Sequence, residues 1–273
     1  MRSSSIFEGR LVGRTTFECS NRTYLLLRID SHHVLQAAPG QFIMLETGED
    51  CFLDRPFSIL DAMGTIIELL IEIKGKGTRN LLFRNVGDAI RFKGPRGNGL
   101  DEILNFPGKK VDLIAGGVGI VPLYFFCWEC LRRGRYDDIS LLFGAGERDF
   151  FDALKLHLNF PNIFRGMDVH LIPFNEMGMT VVDFYKKYME GRGYEPDYVI
   201  SCGPEEMQEA VQEIIIEMNV QGHLLMERRM GCGRGMCMGC PVRMVENGEE
   251  ILKDACTDGP AFEVNSNRKV VFK

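Results

Sequence analysis

The chain predicts an antiparallel β-barrel, then an α/β domain built on a parallel sheet, then a small cysteine-bearing C-terminal segment. Three observations carry that expectation. Up to about residue 100, short β-type runs alternate with turns; from Lys109 strand-like and helix-like stretches take turns; after Gly222 that alternation stops and four closely spaced cysteines follow. The expected boundaries are therefore 1–100, 101–222 and 223–273.

In the first region the β-type runs are YLLLRI (24–29), QFIMLE (41–46), TIIELLIEI (65–73) and DAIRFKGPRGNG (88–99). Two stretches there have ligand-binding chemistry. In DRPFSI (54–59), Arg55 offers a guanidinium fork for a pyrophosphate, Phe57 a ring to lie against a flavin, and Ser58 a hydroxyl for its central ring, with Pro56 a further cofactor-binding candidate. In IEIKGKGTRNL (71–81), Ile71 and Ile73 lead into Lys74, Gly75, Gly77 and Thr78, a second phosphate cradle with Thr78 capping a short helix. Taken alone, both stretches also read as an Arg-Pro turn and a glycine-rich hairpin end.

The second region reads VDLIA, a helix over 122–133, ISLLF, a helix near 150–158, VHLIP, a helix near 181–190, YVIS, and a helix over 205–219. Its first strand-to-helix junction is VDLIAGGVGIVPL (111–123). Gly116, Gly117 and Gly119 there let the backbone approach a pyrophosphate, whose charge the following helix N-terminus favours. A tight turn without a ligand explains the same glycines. The second strand ends in ISLLFGAGERD, where Glu147 suits the ribose hydroxyls of NADH and Arg148 suits a 2′-phosphate. NADH is the expected nucleotide, with NADPH left open.

The last region carries the most specific signal. Cys232, Cys237, Cys240 and Cys256 are spaced x4, x2 and x15, and the first three match a plant-type 2Fe-2S loop. Gly231, Gly233, Gly235 and Gly239 let such a loop fold tightly around its contents. Four thiolates also suit structural zinc, but zinc sites usually pair their ligands in two short knuckles, whereas here three crowd together and one stands apart. Met236 and Met238 flank Cys237. The loop from Met236 to Pro241 is expected to face a partner, with adaptable methionine packing inside the chain as the alternative.

Composition narrows the class. Among 273 residues, 45% are apolar and 26% charged, as in ordinary globular proteins, and a net charge of −6 argues against nucleic acid as a partner. Nine cysteines is an odd number, the opening MRSSSIFEGRLVG has no apolar leader, and the apolar stretch 113–128 is interrupted by glycine and proline. A cytoplasmic protein with no membrane span is expected. His32 and His33 are adjacent and would point to opposite faces of a strand; Cys127 and Cys130 sit among aromatic residues and read as packing. Cys19 and Cys51 show no partner. Glu227 is a flavin-side candidate or an ion-pair partner, and 207, 211, 214, 215 and 218 form the buried stripe of a helix.

The order of motifs, RPFS in a barrel, then GGVGIVP, then CGP (202–204), resembles the ferredoxin reductase-like flavoproteins. Within them, LMERRMGCGRGMCMGCPVRM followed by DACTDGPAF is similar to the electron transfer subunits of NAD-linked type B dihydroorotate dehydrogenases, over essentially the whole chain. The resemblance implies FAD at Arg55, Phe57 and Ser58, with Lys74, Gly75, Gly77 and Thr78 at its ribityl and phosphate end. It implies NAD(H) at Gly116, Gly117 and Gly119, with Cys202 and Gly203 beside the nicotinamide, and a 2Fe-2S cluster on the four cysteines. Val121 stands where these relatives commonly have alanine.

A flavin is the cofactor able to exchange two electrons with a nicotinamide and one with a cluster, so no proton-abstracting side chain is demanded. The resemblance further implies a partner, an FMN-containing catalytic subunit that oxidises dihydroorotate for pyrimidine biosynthesis, in a heterotetramer. About 50 residues after Gly222 bury little on their own, so the cluster is expected near the surface and completed by that partner. Two alternatives stay open: the same cofactors serving a hydrogenase, sulfite reductase or ferredoxin-NAD(P) oxidoreductase complex, and a zinc-stapled nucleotide-binding scaffold.

Overall fold

The computed structural model describes residues 6–105, 108–134, 139–158 and 160–272. The first region is a seven-stranded antiparallel sheet of β1 (Ile6–Cys19), β2 (Arg22–Asp30), β3 (Phe42–Leu45), β4 (Arg55–Ser58), β5 (Asp61–Met63), β6 (Ile66–Glu72) and β7 (Ala89–Arg96), in the order β4-β3-β7-β1-β2-β6-β5. The two edge strands, β4 and β5, are joined by only Ile59 and Leu60. Ile59 N–H bonds to Gln41 C=O at the β3 side (3.1 Å), and Leu60 N–H to Glu68 C=O on β6 (2.9 Å), so consecutive residues tie opposite edges together and close the barrel. Leu25, Leu27, Ile29, Ile43, Leu69 and Phe92 fill it.

β1 was not among the runs singled out by the sequence. Its buried positions are sparse, and a register shift between Leu11 and Gly13 breaks the period of two that a strand otherwise shows. The reverse holds for β2, where Tyr24 and Leu26 are buried as well as Leu25 and Leu27, because its outer face packs on the second domain. Helix α1 (Lys76–Leu81) follows β6, and α2 (Asp101–Leu104) follows β7.

The α/β domain contains β8 (Val111–Gly116), α3 (Ile120–Arg132), β9 (Ile139–Ala145), α4 (Arg148–His157), α5 (Phe160–Ile163), β10 (Asp168–Pro173), α6 (Phe174–Met177), α7 (Val181–Glu190), β11 (Tyr198–Cys202), α8 (Glu205–Glu217) and β12 (Gln221–Leu225). The sheet order is β10-β9-β8-β11-β12, all parallel. The chain moves outward one way from β8 through β9 to β10, and the other way through β11 to β12. Between β8 and β11 lies the switch point, whose carboxyl-end crevice is where such sheets bind ligands.

The parallel sheet runs past residue 222, where the sequence suggested it would stop. Strand β12 ends at Leu225, and β15 (Ala261–Val264) adds a sixth, antiparallel strand from the cysteine segment. The remainder of that segment is a three-stranded sheet of β13 (Pro241–Glu246), β14 (Glu249–Asp254) and β16 (Arg268–Val270), in the order β14-β13-β16. Gln212 of α8 clasps it, its amide accepting from Val270 N–H (2.7 Å) and donating to Val270 C=O (3.0 Å) inside the core. The barrel and the α/β domain share one apolar core that includes Phe17, Tyr24, Leu70, Phe143 and Phe150. Phe17 stacks on His157 with centroids 4.6 Å apart, and buried Asp61 accepts from Arg132 (2.8 Å) across the same boundary.

Candidate functional site

The cysteine loop sits on the barrel. Gly233 has φ +64°, and a Cβ there would lie 2.5 Å from Met44 Cγ on β3, so only glycine permits the loop to rest against that strand. Cys240 and Cys256 are each 2% exposed and share a core with Phe42, Met44, Val242 and Phe262. Cys232 is half-buried and Cys237 exposed. Backbone donors aim at sulfur: Gly235 N–H at Cys256 Sγ (3.1 Å) and Arg234 N–H at Cys232 Sγ (3.4 Å).

These surroundings split the thiols. Burial pushes Cys232 up, but the N–H groups of Arg234, Cys237 and Met236 and the Cys237 thiol outweigh it and bring Cys232 down to about 7. Burial first, then the neighbouring Cys240 thiol, pushes Cys256 up to about 12. The sulfurs lie close enough to act on one another: Cys237 on Cys232, and Cys240 and then Cys232 on Cys256. Among the described residues no three His, Cys, Asp or Glu side chains converge on a single metal-ion position. Neighbouring thiols in a glycine-rich loop, with backbone N–H groups donating to two of the sulfurs, suit an iron-sulfur cluster.

Beside β3 in the sheet runs β4, paired Met44 to Pro56, Ile43 to Phe57 and Phe42 to Ser58. As an edge strand, β4 leaves one side of its backbone free, and Arg55, Pro56, Phe57 and Ser58 are all partly exposed. Arg55 is braced by its Nη1 bond to Leu53 C=O (2.9 Å). Of the other barrel candidates, Ile71 is buried in the barrel and Ile73 packs at its edge. Gly75 faces open space, whereas a Cβ on Gly77 would lie 2.8 Å from Thr47 Oγ1. Thr78 does not occupy the N-cap, as expected, but N3: Gly75 is the cap, and Thr78 Oγ1 reaches back to accept from Lys74 N–H (2.9 Å) and Gly75 N–H (3.1 Å). An open edge strand with an aromatic ring, a braced guanidinium and a glycine facing empty space fits a flat cofactor with a diphosphate.

At the switch point the glycines divide their roles. A Cβ on Gly116 would meet Met207 Sδ and Pro204 Cδ at 2.8 Å, and one on Gly119 would fall on the Cys202 carbonyl oxygen. These two glycines, with Gly203 against Met207, let β8, β11 and α8 close on each other. Gly117, at φ +53° with nothing within 4 Å, is the one that leaves backbone open to a phosphate. The turn 117–119 approaches β6 of the barrel, the strand that leads into Lys74 and Gly75. Burial, then the Glu227 charge, pushes the Cys202 thiol up to about 12.

Along the crevice at the ends of β9 and β10, Glu147 and Arg148 are both engaged by α6. Glu147 accepts from Asn175 Nδ2, and Arg148 Nε pairs with Glu176 (2.9 Å). Neither Asn175 nor Glu176 was a sequence candidate; they lie 28 residues downstream, and only the parallel pairing of β9 with β10 brings them alongside. Met44, the seat of the cysteine loop, was likewise hidden, reading as one more barrel residue.

The remaining candidates resolve simply. His32 and His33 are exposed, Cys127 and Cys130 are buried in α3, and Val211, Ile214 and Ile215 form the buried stripe of α8. Arg228 pairs with Glu205 (2.9 Å), and Glu227 is exposed. A cavity of about 550 Å³ opens between Gly97–Gly99 and the C-terminal strands, where Asp258, Ala261 and Phe262 line it together with His223. Among the described residues no helix is long and apolar enough to cross a membrane.

Comparison with known proteins follows the same geometry. The family described as the iron-sulfur cluster binding domain of dihydroorotate dehydrogenase B matches residues 227–266. The dihydroorotate dehydrogenase B (NAD(+)) electron transfer subunit of Caldanaerobacter subterraneus is 34% identical over 82% of this chain and 84% of its own length. That of Desulforamulus reducens is 31% identical over 95% and 97%. Among solved structures, a chain of the NADH-dependent reduced ferredoxin-NADP oxidoreductase is similar with a TM-score of 0.74 at 23% identity, over 96% of this chain and 90% of that one. A ferredoxin-NADP+ reductase variant from Plasmodium falciparum is similar with a TM-score of 0.63 at 16% identity, over 77% and 90%.

Proposed function

The chain belongs to the family of electron transfer subunits of dihydroorotate dehydrogenase B, and on that premise we propose that it carries electrons between a dihydroorotate-oxidising partner and NAD in pyrimidine biosynthesis. The observation that carries the reading is β3: the cysteine loop rests on its Met44 side chain and the RPFS strand pairs along its edge with Pro56 opposite Met44, so the two candidate redox sites are one strand apart. When bound, a 2Fe-2S cluster supplies one-electron transfer, FAD exchanges one or two electrons, and NAD takes up hydride.

The chain's own residues hold and orient these groups. Cys232, Cys237, Cys240 and Cys256 would ligate the cluster, with the N–H groups of Arg234 and Gly235 donating to sulfur. Arg55, Pro56, Phe57 and Ser58 would hold FAD on one side, with Ile71, Ile73, Lys74, Gly75, Gly77 and Thr78 at its other end. Gly116, Gly117 and Gly119 would bring backbone to the NAD diphosphate, beside Cys202 and Gly203. With its pKa near 12, Cys202 stays a neutral thiol at physiological pH and lines the crevice without carrying charge.

The partner we assign is an FMN-containing catalytic subunit, joined in a cytoplasmic heterotetramer. Its docking face is the loop bearing Met236 and Met238, 70% and 69% exposed beside the exposed Cys237. Co-expression with such a subunit tests the reading. Dihydroorotate-dependent reduction of NAD, absent without this chain, is expected. A stable complex with a different reductase and no dihydroorotate-linked turnover would contradict it.

A further inference from the structure

We propose that Glu176 is a specificity-determining residue: by pairing with Arg148 it offsets the charge of a guanidinium at the ribose end of the crevice and so selects NAD(H) over NADP(H). The inference rests on the reading that the α/β domain binds a nicotinamide dinucleotide. At the carboxyl end of β9 the chain presents three charged residues in a row, Glu147, Arg148 and Asp149. That position faces the adenosine ribose in a sheet with this switch point, where a carboxylate serves the free 2′-hydroxyl and an arginine the 2′-phosphate. Both side chains are present, so sequence alone leaves the choice open.

The structure separates them by their partners. Arg148 Nε donates to both carboxylate oxygens of Glu176, at 2.9 and 3.1 Å, from the neighbouring α6. Glu147 accepts from Asn175 Nδ2, and Asn175 N–H donates to Gly146 C=O (3.0 Å), so α6 also fixes the carboxylate that suits a ribose. Asp149 is turned the other way, to Ser20 N–H (2.6 Å) and Ser20 Oγ (2.5 Å) in the β1–β2 turn of the barrel. Arg148 is thus paired through Nε with one carboxylate, which offsets its charge while its terminal amino groups stay open. A 2′-phosphate entering here meets a guanidinium already neutralised by Glu176 and lies near the carboxylates of Glu176 and Glu147. The ion pair is solvent-exposed and modest in strength. Its leverage comes from sign, since removing one negative charge both leaves the guanidinium charge less offset and removes a repulsion.

The test is equilibrium binding of AMP and of adenosine 2′,5′-bisphosphate to the FAD- and cluster-loaded protein by titration calorimetry, with NADH and NADPH bleaching of the flavin alongside. The wild-type protein is expected to prefer the fragment without the 2′-phosphate. E176Q is expected to shift the affinity ratio toward the bisphosphate by roughly ten-fold, and R148Q in that background to abolish the shift. An unchanged ratio in E176Q, or a gain that survives loss of Arg148, overturns the assignment. If the wild-type protein binds neither fragment and neither nucleotide bleaches its flavin, the dinucleotide reading itself fails, and the assignment with it.

Discussion

Cys240 and Cys256 are buried in a core shared with the barrel, whereas Cys237 lies at the surface. Serine at either buried position is expected to lose iron and sulfide and to loosen that core, with flavin absorbance retained; iron analysis and the visible spectrum check it. Gly119 has no room for a side chain, because a Cβ would fall on the Cys202 carbonyl. Gly119→Ala is therefore expected to lower stability by about 2 kcal/mol or more and to abolish nucleotide binding, read by denaturant unfolding and by calorimetry. His223 gives a pH signature. Burial pushes its imidazole down to about 4, Glu263 opposing and Arg268 adding to the shift. Its unfolded form protonates near 6.5, so the unfolded state binds the extra proton between about pH 6.5 and 4 and stability falls as pH falls through that window. Relative to His223→Gln, the wild-type protein is expected to lose up to about 3 kcal/mol across it, by urea titration.

Elements with one strong period were legible in the sequence. Helix α7 falls at 181–190 as expected, and β2, β3, β6 and β7 fall on the runs that suggested them, since their core faces are unbroken. What escaped was tertiary. The bulge in β1 scrambles its alternation, and β15 could not be assigned because its partner β12 lies 36 residues earlier on the far side of the cysteine loop. The four thiols were legible because ligand spacing is a local constraint, while Met44, Asn175 and Glu176 act only through neighbours that the fold supplies. Gln212 belongs to this second kind. Truncation to alanine would leave the Val270 N–H and C=O unpaired in the core, so Gln212→Ala is expected to cost about 2 kcal/mol and to free the β13–β16 sheet to exchange amide hydrogens faster.

At the scale of the molecule, the three candidate binding regions meet because two domains share a core and the third segment lies across both. The barrel and the α/β domain are fastened by the Phe17–His157 stack, the Arg132–Asp61 pair and the Ser20–Asp149 bonds, and the cysteine segment is sewn to the parallel sheet through β15 and to the barrel through Met44. Such an arrangement fixes distances between sites, which electron transfer needs, and leaves the exposed methionines beside the cysteine loop for a partner. Lysine at both Met236 and Met238 is expected to weaken complex formation at least ten-fold while leaving cluster and flavin absorbance in place, since desolvating two charges in an interface costs over 1.4 kcal/mol. The most direct measurement of electron transfer in this chain is an anaerobic visible spectrum of the purified protein, titrated with NADH. Flavin bands together with cluster absorbance, both bleached by low NADH, are the expected result. A colourless protein containing zinc, or a yellow one indifferent to NADH, would contradict it.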